Sequence, residues 1–182
     1  MKTTLILIDI QNDYFPGGKN EMVKSREAGQ KAKEVLTHFR QKKLPVIHIK
    51  HLSVRPGATF FIPGTTGAEI HEDVAPLETE TVITKHYPNS FRETRLHQHL
   101  QEQKAEHLVI VGMMSHMCVD STARAAKDLG YQVTVVADAC ASKDLSLQGS
   151  EIPARQIHDS FMAGLKYFYA DIKKSDELIQ QL

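Results

Sequence analysis

Cysteine is scarce in this chain: Cys118 and Cys140 are the two present in 182 residues. Two thiols with no CxxC spacing cannot build a disulfide framework, so the pattern excludes the small stapled secreted class and suits a reducing compartment. Net charge is missing as well. Lys plus Arg and Asp plus Glu both number 22, and without a basic field nothing marks a surface for nucleic acid or anionic lipid. Long apolar runs are also missing. The stretch TLILIDI is seven residues long and contains an aspartate, too short for a membrane span and unlike a signal peptide. These absences point to a cytoplasmic protein with a small-molecule partner, no nucleic acid and no membrane. The length suffices for one full core and falls short of two ordinary domains, so residues 1–182 read as a single domain. No internal repeat or low-complexity segment occurs.

Five strand-like runs, TLILID, LPVIHIK, TVITK, HLVIVG and QVTVVAD, alternate with helical patterns over about 24–42, 92–103, 118–130 and 152–164. This alternation is the βαβ signature of a parallel sheet. Most of the runs lack polar alternation, so helices cover both faces and the class is three-layer α/β. A last short strand near YFYADI and a terminal helix from Ser175 complete the expected fold. Residues 51–80 break the rhythm, being rich in Gly, Pro and Thr with neither period. Loops of that length are usually functional or disordered, and Phe60, Phe61, Ile62 and Ile70 argue against disorder. The segment reads as an ordered lid or an intersubunit segment beside the sheet edge. The pieces PGG at 16–18 and PGTTG at 63–67 lack the spacing of phosphate-binding loops and read as turns.

Against this background Cys118 stands out. It follows the apolar run LVIVG at 108–112 through the tight segment MMSHM and opens a helical pattern. A helix N-terminus favours a thiolate, the reactive form of cysteine. LILID places Asp9 at the carboxyl end of the first strand, and TVITK places Lys85 at the carboxyl end of a later one. In an open parallel sheet those ends meet at one edge, where ligands bind. Taken singly, the three residues have bland readings: a packed core cysteine, a loop cap and a solvated strand end. Their joint placement favours chemistry. Asp138, at the end of VVAD, shares the edge position but reads as a loop cap, and Cys140 reads as a small packed residue.

Three segments extend the pattern: IDIQNDYFPGG after the first strand, KHYPNSFRETRL after the third, and VGMMSHMCVDSTARAAKDLGY around the thiol. Together they resemble the isochorismatase-like cysteine hydrolases, a family that includes nicotinamidases and carbamoyl-amide and ureide hydrolases. The resemblance runs from Asp9 through Ser142 in consistent order. It implies a six-stranded, mainly parallel sheet flanked by helices and a catalytic triad of Asp9, Lys85 and Cys118. It also implies a cis peptide at Met113–Met114, held by contacts around Ser115 and Asp120, which turns the Met114 N–H into an oxyanion hole beside the Cys118 amide. The side chains suit such chemistry. Asp9 can take the thiol proton and later return it to a leaving amine, while Lys85 stabilises the thiolate. Aspartate and cysteine differ in reference pKa by roughly four to five units, so the site has to narrow that gap.

Ten histidines invite a metal reading. Nicotinamidase-type relatives carry Asp-x-His after the second strand with another histidine downstream, whereas this chain reads His48-Ile49-Lys50-His51, without the aspartate. His51 and His71 remain, but two imidazoles rarely hold an ion without a third ligand. Lys50 beside them would repel a cation. No metal and no other cofactor is expected, which weakens nicotinamide as a substrate. For substrate binding, Phe15 and Tyr87 sit on loops entering the same edge and could stack on a planar ligand. Gln11, His51, Phe60, Asn89 and His116 are further candidates, and packing or loop hydrogen bonding accounts for each equally well.

Four functions follow, of which a binding protein on a retired enzyme fold is disfavoured by three chemically matched groups. The first is a cysteine amidohydrolase that cleaves a C–N bond of a small amide, ureide or carbamoyl compound through a Cys118 thioester. The second is vinyl-ether hydrolysis of isochorismate, which relatives perform without a nucleophile and typically without this cysteine. The third is a thiol sensor with Cys140 as resolving partner. The presence of Cys118 favours the first over the second. The resemblance implies a homodimer or homotetramer, and Phe60, Phe61 and Ile62 suit a lid that borrows contacts from a neighbouring copy.

Overall fold

The computed structural model describes residues 1–182. Along the chain the elements are β1 (Thr3–Ile8), α1 (Ser25–Gln41), β2 (Val46–His51), β3 (Thr81–Lys85), α2 (Leu96–Glu102), β4 (His107–Met113) and α3 (Asp120–Asp128). They continue with β5 (Gln132–Ala141), β6 (Leu145–Leu147), β7 (Ser150–Ile152), α4 (Ala154–Phe168), β8 (Asp171–Lys173) and α5 (Ser175–Gln181). Six strands form one sheet in the order β3-β2-β1-β4-β5-β8, parallel throughout. The strands β6 and β7 pair antiparallel as a separate hairpin.

Period-two side-chain direction explains the layers. In β1, Leu5 and Leu7 point into one core with Ala32, Val35, Leu36 and Phe39 of α1 and Leu178 of α5. Ile6 and Ile8 point into the other, against Leu96 and Leu100 of α2, Ala123 and Ala126 of α3, and Met162 and Leu165 of α4. The two clusters hold 22 and 20 buried residues, so β1 has no solvent face, and its uninterrupted apolar run follows. The buried positions of α1, Ala28, Ala32, Val35, Leu36 and Phe39, recur at helical spacing on one stripe. At the sheet edge β3 departs from this scheme. Val82 is exposed and the burial pattern alternates, because no layer covers the outer face there.

The chain runs from β1 outward to β2 and β3, then returns to the other side of β1 as β4. That reversal opens a crevice at the carboxyl ends of β1 and β4, the place where such sheets bind ligands. Gly112 makes the close approach possible. It pairs with Ile8 at a φ of 134°, and a Cβ there would lie 2.0 Å from the Ile8 carbonyl oxygen.

Four local readings change. The helix expected from Cys118 is α3 from Asp120, preceded by a π-helical turn over Ser115–Val119. Strand β5 runs past Asp138 to Ala141, with a register shift against β4 between Ile110 and Gly112. The last strand is Asp171–Lys173, because α4 continues through Phe168. The hairpin β6–β7 was not anticipated: each strand is three residues long, too short for alternation to show. Residues 51–80 are ordered as a wrapped loop with single turns at Thr66–Ala68 and Glu72–Val74. Asp13 anchors the loop through the Phe61 N–H at 2.7 Å, and Phe61 is fully buried. No helix is long and apolar enough to cross a membrane.

Candidate active site

Three strand ends deliver the central groups. Asp9 follows β1 with a φ of 50°, a left-handed conformation that aspartate tolerates better than most residues. Lys85 is the last residue of β3 and the register partner of His51 in β2. Cys118 lies in the π-turn after β4, where the Met117 and Val119 N–H groups both donate to the Met114 carbonyl. The Lys85 ammonium is 2.7 Å from Asp9 Oδ2, 3.3 Å from Cys118 Sγ and 2.9 Å from His51 Nδ1, and donates to the Tyr87 carbonyl at 3.1 Å. Asp9 and Lys85 side chains are fully buried. The Asp9–Lys85 ion pair is thus fully buried beside a thiol, a setting that marks a candidate functional site.

Electrostatics correct one expectation. The thiol is not pre-ionised by a helix end: burial and then the Asp9 charge push Cys118 well above its ordinary value, and Lys85 only partly offsets them. The resting group is a thiol beside an Asp9–Lys85 ion pair. Burial also opposes the charge on Lys85, but Asp9 and Cys118 outweigh it and raise the ammonium above its usual value. Burial, followed by Lys85, pushes His51 down to about 4. A neutral ring facing an ammonium accepts at Nδ1, which leaves its proton on Nε2.

One atom each from Asp9, His51 and Cys118 lie within 4.8 Å of one another. The Lys85 ammonium contacts all three, and so holds the centre that they would offer a cation. His71 is not part of the set. It stacks on Phe15 at 3.7 Å between centroids and accepts the Asp73 N–H.

A cavity of about 470 Å³ opens above Cys118. Tyr87, His51 and Phe60 line it, as do Met114 and Cys118. Four expected contacts do not reach it. Phe15 is buried against His71 and the backbone of Gly29. Gln11 spends its amide on the His51 N–H and carbonyl and on the Ala68 carbonyl, at 2.7 to 2.9 Å, and so fixes the end of β2. His116 turns away to Ser142, 2.7 Å from its Oγ, and packs near Phe161. Asn89 accepts the Phe91 N–H within its own loop. The lining that sequence reasoning missed includes Tyr14, Ser53, Arg55, His86 and Met117. Tyr14 is the neighbour of Phe15, and only the single turn at Asn12–Tyr14 decides which of the two rings faces the cavity.

The peptide bond Met113–Met114 is cis, and the Met114 N–H donates to no acceptor in the protein. Ser115 donates to the Ala141 carbonyl at 3.0 Å and therefore accepts from His158 Nδ1 at 2.8 Å, which ties the π-turn to β5 and α4. Asp120 pairs with Arg124 one turn along α3. Away from the site, Asp138 holds the N–H and hydroxyl of Ser175 at the start of α5, and burial pushes Cys140 up to about 12.

Comparison with known proteins gives a consistent result. A family model described as the isochorismatase domain matches residues 3–159. An uncharacterised isochorismatase family protein of Bacillus subtilis, YddQ, is 48% identical over 180 residues, covering 99% of this chain and 100% of its own. A provisionally assigned isochorismatase hydrolase from Oleispira antarctica superposes with a TM-score of 0.95 at 47% identity, covering 98% of this chain and 96% of that one. A streptothricin hydrolase of Streptomyces noursei is 29% identical over 174 residues, which span 96% of this chain and 60% of that protein.

Proposed function

Because the chain belongs to the isochorismatase family of hydrolases, we propose that it is a cysteine amidohydrolase acting on a small amide, ureide or carbamoyl compound. The observation that carries this reading is the fully buried Asp9–Lys85 ion pair set against the Cys118 thiol. Asp9 takes the thiol proton as Sγ attacks the carbonyl carbon, and Lys85 compensates the charge that develops on sulfur. The tetrahedral oxyanion then needs N–H donors, and the free Met114 N–H with the Cys118 N–H supplies them. Collapse breaks the C–N bond, and the leaving nitrogen departs with the proton from Asp9, which leaves a Cys118 thioester. Water attacks the thioester, giving its proton to Asp9, which passes it to the departing sulfur. The products are the acid and ammonia or an amine, and the thiol is restored.

The likeness to a streptothricin hydrolase supports hydrolysis without naming a substrate for this chain. Vinyl-ether hydrolysis would leave the nucleophile without a role. A thiol sensor would need a thiol open to an oxidant, whereas Cys118 and Cys140 are both buried and unpaired. Ammonia release from a panel of small amides, ureides and carbamoyl amines tests the reading. Cys118→Ala is expected to lose on the order of 10⁴-fold or more in kcat. Turnover that survives in that variant would remove the thioester mechanism.

A further inference from the structure

The cavity above Cys118 has a charge bias that the hydrolytic chemistry does not use. None of its lining residues is acidic, and Arg55, exposed at the mouth, is its one permanent cation. Arg55 enters no ion pair. The neighbouring nitrogen-bearing side chains are committed. Lys85 serves Asp9, His51 and Cys118, the Arg92 guanidinium lies 3.7 Å over the Tyr87 ring, and His86 Nδ1 is 2.8 Å from the Leu52 carbonyl. The loop that carries Arg55 is closed at its base by the Ser53 N–H on the Phe61 carbonyl, and Phe61 is pinned by Asp13. The charge of Arg55 is felt at the deep end, where, after burial and the nearer charges, it helps to keep His51 neutral. The rings of Tyr14, Phe60 and Tyr87 line the same cavity, with Tyr14 buried near Cys118 and Asp9.

A ligand filling this space therefore meets a nucleophile at the floor, aromatic walls, and an uncompensated guanidinium at the mouth. A guanidinium in that setting prefers a planar oxyanion, which it holds with two parallel N–H bonds. We propose that Arg55 selects substrates bearing a carboxylate at the end remote from the scissile amide or carbamoyl group. The proposal rests on the amidohydrolase reading for its chemistry, though not for the binding subsite itself.

Succinamate, butyramide and 3-aminopropanamide share a primary amide and differ in the charge of the far end, so their kcat/KM values isolate the effect. Succinamate is expected to exceed butyramide by about tenfold or more, with 3-aminopropanamide the poorest. Arg55→Gln should bring the succinamate-to-butyramide ratio to within about twofold, through the KM of the acid, while Arg55→Lys keeps part of the preference. Equal ratios in parent and Arg55→Gln would overturn the proposal. A second arm needs no turnover: Cys118→Ala protein is titrated with glutarate by calorimetry. Binding that disappears when Arg55→Gln is added supports the subsite, and absent binding, or binding indifferent to Arg55, overturns it. A silent amide panel with Arg55-dependent glutarate binding would remove the amidohydrolase reading and leave the carboxylate subsite standing.

Discussion

At the scale of single residues, the resting thiol defines the chemistry. Burial and the Asp9 carboxylate both hold the proton on Cys118, so in the proposed mechanism nucleophilicity arises only when Asp9 accepts that proton during attack. One substitution separates the two roles of the aspartate. Asp9→Asn should abolish hydrolysis because no base remains, yet it should speed alkylation of Cys118 by iodoacetamide, because a charge that opposes thiolate formation is gone while Lys85 stays. Rates of both reactions on one preparation check this, and alkylation slower than in the parent would contradict the assignment. The sequence placed these groups correctly for a simple reason: Asp9, Lys85 and Cys118 each end or follow a parallel strand, and parallel strands share a carboxyl edge. The expected contacts from Phe15, Gln11 and His116 failed for an equally simple one. In a single turn or a π-turn, consecutive side chains diverge widely, and whether Tyr14 or Phe15 faces the cavity depends on backbone angles that residue type does not set.

At the scale of elements, an ion-pair cluster far from the thiol ties α1, β2 and the approach to β3 together. Glu80 receives Arg40 Nε and Nη2 at 2.7 Å, His48 Nε2 at 2.9 Å and the Leu77 N–H at 2.9 Å. Burial alone would raise its carboxyl, but Arg40, Leu77 and His48 overcome that and hold it at about 2. A carboxyl lowered on folding stabilises the native state above its ordinary value, and this contribution drains away as pH falls toward about 2. Glu80→Gln should therefore cost about 2 kcal/mol near neutrality. The gap between parent and variant in urea midpoint should close on acidification, and a constant gap would show that the charge is not what stabilises. This cluster was not legible in the sequence. Arg40, His48 and Glu80 carry no common motif, and only the pairing of β2 with β3 brings them together. The helices and main strands were legible because their burial is periodic, whereas β6 and β7 bury too little to leave a pattern.

At the scale of the whole molecule, the two cores and the crevice between β1 and β4 divide the labour. Asp9 and Cys118 come from adjacent strands at the centre of the sheet, each bonded on both sides, while Lys85 comes from β3, an edge strand of five residues bonded only to β2. Outermost strands with one exposed face open at lower free energy than the core they border. Withdrawal of β3 by even a short distance would take the ammonium away from both partners while leaving the remaining five strands intact. The molecule therefore carries a fuse. On heating, activity should disappear several degrees before the far-ultraviolet circular dichroism of the helices collapses, and coincident curves would show that β3 melts with the rest. Catalytic competence would then be set by one edge strand of the sheet, so a stabilising change confined to the outer face of β3, around Val82 and Thr84, would lengthen the working life of the enzyme without moving its global melting point.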